Sequence, residues 1–155
     1  MEIIKANTYD HKILTEITKK SKAYWGYSNE QMEEWSDLLT IKEEYFKNNE
    51  VYKLLINNST VAYYSYFSIN ENTVKLDNLF VLPDEIGKGY GKLLMNDFIS
   101  KIKKSKTKII ILDADPNAQK FYESFGFTKI GKIETSIKNR FLPIMELQLD
   151  TIVDK

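Results

Sequence analysis

The spacing of hydrophobic and polar residues changes repeatedly along this chain, and each change predicts an element. Glu2 to Ala6, with Ile3 and Ile4 apolar, reads as a short first strand. Asp10 is a plausible N-cap for a helix through about Lys22, because Ile13, Leu14 and Ile17 fall on one face. An aromatic cluster around a glycine follows, Ala23-Tyr24-Trp25-Gly26-Tyr27. Ser28 with Gln31 three residues on has the form of a capping box and predicts a helix to about Leu39. Thr40 with Glu43 repeats the form and predicts a shorter helix, Ile41 to Asn48.

The pattern then turns to β. Val51 to Ile56 and Val61 to Ile69 are rich in β-branched and aromatic residues and are joined by Asn57-Asn58-Ser59, a hairpin signal. Asn70-Glu71-Asn72 makes a second turn into Thr73 to Leu82, so three sequential antiparallel strands are expected. The last ends in an apolar run, Leu79-Phe80-Val81-Leu82, and Pro83 breaks it for want of an N–H. Glycines follow at alternate positions, Gly87, Gly89 and Gly91, with Lys88 and Tyr90 between them. After Gly91 the period becomes helical, with Leu94, Phe98 and Ile102 every four residues. Lys108 to Leu112 is a strand apolar enough to be central. Asp115 and Pro116 have the form of an N-cap and first helical residue. Ala118, Phe121, Tyr122 and Phe125 lie on one face after them, and Gly126 is the stop. Phe127 to Ile133 and Arg140 to Leu149 read as a closing strand pair.

Composition narrows the function more by exclusion than by suggestion. At 155 residues a single domain spanning 1–155 is expected. Lys and Arg together number 22, as do Asp and Glu, so no net field favours nucleic acid or an anionic membrane. The absence of cysteine excludes a disulfide scaffold, a thiolate-bound metal and a cysteine nucleophile. His11 is the only histidine, which leaves no His-based triad or multi-histidine zinc site. The N-terminus lacks a signal-peptide core and no apolar run approaches a membrane span, so a cytoplasmic protein is expected.

The chemistry concentrates in the strand, glycine turn and helix. That order aims unpaired N–H groups and the positive end of a helix dipole at one point, which suits an anion such as a phosphate. A flexible glycine hinge would read the same way. Spacing decides which phosphate ligand is meant. The glycines run G-x-G-x-G, not the dinucleotide G-x-G-x-x-G. A Walker A loop would need glycine at Ile86 and Ser or Thr at Leu93. The segment resembles instead the acyl-CoA pyrophosphate loop of the GNAT superfamily of N-acyltransferases, Gln/Arg-x-x-Gly-x-Gly/Ala. It falls on Ile86-Gly87-Lys88-Gly89-Tyr90-Gly91, with Ile86 departing from the first position. The element order β, α, α, β, β, β, α, β, α, β, β is also the GNAT order. The resemblance therefore covers nearly the whole chain and implies an α/β fold, a central mixed sheet of about seven strands flanked by four to five helices.

A second signature lies at Asn117 to Phe127, where Asn opens a helix, Tyr lies five residues on and Gly-Phe ends it. By periodicity alone Tyr122 belongs to the core, and Asn117 could simply satisfy backbone groups at a helix start. The resemblance implies more: Asn117 contacts the cofactor arm, and the Tyr122 hydroxyl sits near the thioester sulfur. It implies acetyl-CoA as co-substrate, bound in the splay between the strand ending at Leu82 and the strand from Lys108. The loop Ile86, Gly87, Lys88, Gly89, Tyr90, Gly91 and Lys92 would lie at the phosphates, and the backbone of Leu79, Phe80 and Val81 along the pantetheine arm. An alkylamine of pKa ~10.4 is only about 1 part in 2,500 neutral at pH 7, so a base must take its proton. Asp77 shares a strand face with Leu79 and Val81 and is the candidate, through burial or a water relay; a solvated strand-end carboxylate is the plain alternative. Glu71 and Glu85 are weaker candidates because they sit in turns.

The resemblance further implies that Tyr24, Trp25, Tyr27 and Trp35, with the loop before Arg140, wall an acceptor pocket for a small-molecule or peptide amine. The aromatics could equally be core, and Arg140 could grip an acceptor carboxylate or pair with a surface acid. No metal, nucleic acid or membrane partner is implied, and the chain is expected as a monomer or homodimer. A catalytically silent acyl-CoA-binding sensor of the same fold is the rival reading.

Overall fold

A computed structural model describes residues 1–135 and 140–149. The strands are β1 (Glu2–Lys5), β2 (Glu50–Ile56), β3 (Ser59–Ser68), β4 (Thr73–Val81), β5 (Ile109–Asp113), β6 (Thr128–Glu134) and β7 (Phe141–Gln148). The helices are α1 (His11–Tyr24), α2 (Asn29–Glu34), α3 (Tyr45–Asn48), α4 (Tyr90–Lys103) and α5 (Gln119–Glu123). Hydrogen bonding orders the seven strands β1-β2-β3-β4-β5-β7-β6. The β4–β5 pair is parallel, whereas β1–β2, β2–β3, β5–β7 and β6–β7 are antiparallel. This is the mixed α/β sheet that the pattern of elements predicts. The residues group into two compact units, one of Met1–Tyr66 with Asn78–Ile99, the other of Phe67–Asp77 with the chain from Ser100 onward.

In the first unit Ala6, Leu14, Ile17, Ile41, Val51 and Tyr63 form a buried cluster, with Phe80 and Leu82 packed against it. Leu14 and Ile17 are the helical face that the spacing predicts. Asp10 stands at the N-cap position of α1 as expected, but its side chain makes no cap hydrogen bond to that helix. Asn7 caps a 3-10 turn ahead of α1 and takes the Tyr9 N–H at 2.9 Å. Asp10 takes the Asn7 N–H at 2.9 Å and a 2.9 Å ion pair from Lys53. The β2–β3 hairpin turns on Asn57 and Asn58, both at positive φ (51° and 67°), the left-handed pair that a two-residue hairpin requires. Leu94, Met95 and Phe98 of α4 are fully buried; the Phe98 ring lies 5.4 Å from that of Tyr64, whose hydroxyl donates to Asp97 at 2.7 Å.

The predicted helices of the aromatic region come out shorter. α2 ends at Glu34, and α3 is a single turn beginning at Tyr45, not Ile41. Ser28 Oγ does accept the Gln31 N–H at 3.1 Å, but the box is half closed: Gln31 Nε2 is buried without a partner among the described residues. Thr40 does not cap; its hydroxyl donates back to the Ser36 carbonyl at 2.6 Å.

In the second unit β5 lies between β4 and β7, with Ile110 and Leu112 buried, so the apolar run is central as expected. β4 and β5 pair over Thr73–Lys75 and Ile109–Ile111, while β5 runs on to Asp113. The helix expected from Pro116 divides into a 3-10 turn, Pro116–Ala118, and the short α5. Gly126, at φ 97°, ends it, and any Cβ there would meet the Leu147 side chain at 3.3 Å. β6 pairs with β7, with a register break between Lys129 and Gly131.

Candidate active-site residues

The glycine turn belongs to the first unit. Leu82 N–H closes β4 onto the Val61 carbonyl at 2.9 Å, and the 3-10 turn Pro83–Glu85 carries the chain to Ile86. Gly87 and Gly89 then adopt φ of 92° and 84°, where a Cβ is strained, so glycine is a backbone requirement at these two positions. Gly91 lies within the first turn of α4, which begins at Tyr90, ahead of the start after Gly91 that the spacing predicts. The first bond into α4 is Leu93 N–H to Gly89 C=O at 3.0 Å, and among the described residues the amides of Gly87 through Lys92 meet no backbone acceptor. A Cβ built on Gly87 or Gly89 meets nothing within 4 Å. The turn therefore presents unspent N–H groups, at the positive end of a 14-residue helix, to open space. Amides in such an arrangement suit an anion such as a phosphate.

The side chains of the turn add less charge than their sequence suggests. Lys88 pairs with Glu85 at 3.1 Å, which raises its pKa through that hydrogen bond and attraction. Lys92 and Ile86 are exposed, and Tyr90 is partly buried. Leu79, Phe80 and Val81 are partly buried, with the Phe80 ring 6.0 Å from Tyr63. The Val81 carbonyl already accepts the Ser21 hydroxyl of α1 at 2.8 Å.

In the second unit Asp115 gathers three functional candidates. Its Oδ1 accepts both the backbone N–H and the side-chain Nδ2–H of Asn117, each at 2.9 Å. Its Oδ2 accepts Arg140 Nη2 at 3.2 Å, and both side chains of that pair are about 15% exposed, at 14% and 16%. Arg140 is thus engaged with an acid, one more buried than the surface partner considered from sequence. Tyr122 is buried, with its ring edge-on to Phe121 at 5.2 Å and Phe127 at 5.9 Å. Burial first, and the charge of Asp115 second, push its hydroxyl above the ordinary tyrosine range. The core packing that periodicity predicts for Tyr122 is therefore present, around a hydroxyl kept protonated.

Asp77 is exposed, so the burial considered for it from sequence is not present. In the aromatic cluster Tyr24 and Trp25 are half-exposed and meet edge to face at 5.2 Å. Tyr27 meets Trp35 at 4.9 Å, and Trp35 is largely buried. The cluster therefore divides, Trp35 to the core and Tyr24 with Trp25 to the surface. The loop before Arg140 lies outside the described residues. A polar network that spacing did not reveal joins α3, β3 and β4: Tyr45 Oη and Ser65 Oγ lie 2.7 Å apart, and Asn78 Nδ2 donates to each at 3.1 Å. Its signal in sequence is a lone Ser and a lone Asn at inward-facing strand positions, which alternation alone marks as apolar.

Among the described residues no group of three or more His, Cys, Asp or Glu could hold a metal ion, and no helix is long and apolar enough to cross a membrane. The sequence pattern of the family described as Acetyltransferase (GNAT) domain matches residues 25–149. A UPF0039 protein of Schizosaccharomyces pombe is 36% identical over 75 residues, covering 47% of this chain; the match spans 50% of that relative's length. The fold is similar to that of the PaiA N-acetyltransferase of Thermoplasma acidophilum in complex with coenzyme A, with a TM-score of 0.80, 19% identity, and coverage of 96% of this chain and 98% of that one. It is also similar to the ribosomal-protein-S18-alanine N-acetyltransferase of Escherichia coli, with a TM-score of 0.75, 18% identity, and coverage of 99% and 96%.

Proposed function

The chain belongs to the GNAT acetyltransferase family, and from that premise we propose that it moves the acetyl group of acetyl-CoA directly to a primary amine of a small molecule, amino acid or peptide. The observation that carries this reading is the turn Gly87–Lys92, whose amides meet no backbone acceptor where α4 begins. Those amides hold the diphosphate of the co-substrate, and Lys92 adds a positive charge beside them. The co-substrate supplies an acetyl group activated as a thioester.

Transfer is direct because no cysteine is available to carry the acetyl group. Asp77, exposed to solvent, takes the ammonium proton through water, and the neutral nitrogen then attacks the thioester carbon. A backbone N–H near Leu79 to Val81 meets the developing oxyanion. As the C–S bond breaks, Tyr122 donates its O–H toward the departing sulfur, and the second proton, shed by the newly acetylated nitrogen, returns through water to restore the tyrosine. A tyrosine held above its ordinary range is a poor acid toward a thiolate of pKa ~8.5 in water. The same apolar surroundings raise the proton affinity of a thiolate leaving beside it, so the two remain matched. Asn117 holds the cofactor arm, and the half-exposed Tyr24 and Trp25, with Tyr27 beside them, offer apolar surface to the acceptor. Arg140 reaches an acceptor carboxylate only by sharing its guanidinium with Asp115.

The exposure of Asp77, the base candidate, also favours a second reading, a catalytically silent acyl-CoA-binding sensor. One experiment separates the two: free thiol release from acetyl-CoA, screened across amines, amino acids and peptides, with Tyr122→Phe alongside. For the enzyme, at least one acceptor turns over and the variant loses about 100-fold or more in rate with acetyl-CoA affinity kept. Binding of acetyl-CoA with no turnover on any acceptor selects the sensor.

A further inference from the structure

We propose that Asp115 is a positioning residue that fixes which way the Asn117 amide faces, so that its carbonyl oxygen is presented to an amide N–H of the pantetheine arm. This deepens the acetyltransferase reading and rests on it. An ionised carboxylate can only accept hydrogen bonds, so it selects one of the two orientations of an asparagine amide. With Nδ2–H held on Asp115 Oδ1 at 2.9 Å, planarity of the amide turns Asn117 Oδ1 away from Asp115. In the opposite orientation two oxygens would face each other. Asp115 is itself fixed on both sides, by the Asn117 backbone N–H on Oδ1 and by Arg140 on Oδ2.

That double anchoring is more than a cap needs. A helix-start residue satisfies its role with the single bond to the Asn117 N–H. The second oxygen and the 3.2 Å pair with Arg140, drawn from just ahead of β7, are left without a purpose by capping alone. Asn117 is exposed, and an exposed asparagine ordinarily rotates between rotamers, losing freedom when it binds. Holding it beforehand moves that cost from binding to folding. The Asp115 charge also contributes to keeping Tyr122 protonated, so one carboxylate serves both ends of the α5 signature.

Asp115→Ser keeps a capping oxygen but loses the second anchor. Binding is measured by calorimetry with acetyl-CoA and with 3′-phosphoadenosine 5′-diphosphate, which lacks the pantetheine arm. Asp115→Ser and Asn117→Ala are each expected to weaken acetyl-CoA binding by about tenfold and to leave the nucleotide unchanged. The double variant should be no weaker than Asn117→Ala alone, because Asp115 acts through Asn117. Additive losses, or equal loss for both ligands, overturn the proposal and reduce Asp115 to a structural cap. If the unaltered protein binds neither ligand, the acetyl-CoA reading itself falls. Matching thermal midpoints, or Asn117→Ala where Asp115→Ser proves unstable, keep the comparison between folded proteins.

Discussion

Backbone angle, not crowding, is what demands glycine in the turn ahead of α4. Gly87 and Gly89 need φ near 90°, whereas Gly91, at the start of α4, does not. Because a Cβ on Gly89 would meet nothing within 4 Å, the cost of Gly89→Ala to the free protein is conformational alone, about 1–2 kcal/mol. A ligand drawn onto those amides would lose more, since the strained turn must relax by moving them. The expected outcome is a modest fall in urea midpoint and a loss of coenzyme A affinity of tenfold or more by calorimetric titration. Residues of this kind were legible in the sequence, because spacing of glycines reports backbone shape directly. Asp115 was legible only as a cap. Its tie to Arg140 joins positions 25 apart, and no local pattern encodes such a bond. Asp77 was correctly placed on a strand, but exposure depends on what covers the strand, which alternation does not state.

At the scale of elements, strands were read well and the short helices poorly. The β2–β3 turn and the apolar β5 carry strong local chemistry, left-handed Asn in one and an uninterrupted run of Ile in the other. The segment Ser28 to Asn48 carries cap residues too, yet its hydrogen bonds go elsewhere: the Ile41 N–H donates to the Thr15 hydroxyl of α1 at 2.8 Å instead of continuing a helix. Tertiary partners override caps when the helix is too short to hold itself. The join of α4 to β3 shows how much one such partner contributes. Tyr64 is fully buried, and Tyr64→Phe would keep its packing on Phe98 while removing the donor to Asp97. A loss of about 1–2 kcal/mol is expected in urea unfolding, with the m-value unchanged.

The whole molecule answers to alkaline pH through its tyrosines. Burial raises Tyr64 and Tyr122 above the ordinary range and lifts Tyr66 to about 12. Below pH ~10 both folded and unfolded chains keep these protons and the stabilisation is complete; above it the unfolded chain releases them first, so stability falls as pH rises. The thermal midpoint is expected to drop steadily from pH 10 to about 12. Lys5, Lys20 and Lys88 are raised by their carboxylate partners in the same direction but are exposed, so 1 M salt should remove their part and leave that of the tyrosines. The overall architecture was legible because each strand and long helix declared its own period; its partition into two compact units was not, since β4 contributes to both. The interrupted ladder between Lys129 and Gly131 matters here as well. β6 is one of the two edge strands, almost wholly open to solvent, with exposed Ile130 and Ile133 that invite a foreign chain to zip alongside. The kink at Ile130, flanked by lysines at 129 and 132, spoils the straight rail that such zipping requires, so the border of the sheet carries its own guard against fibril growth.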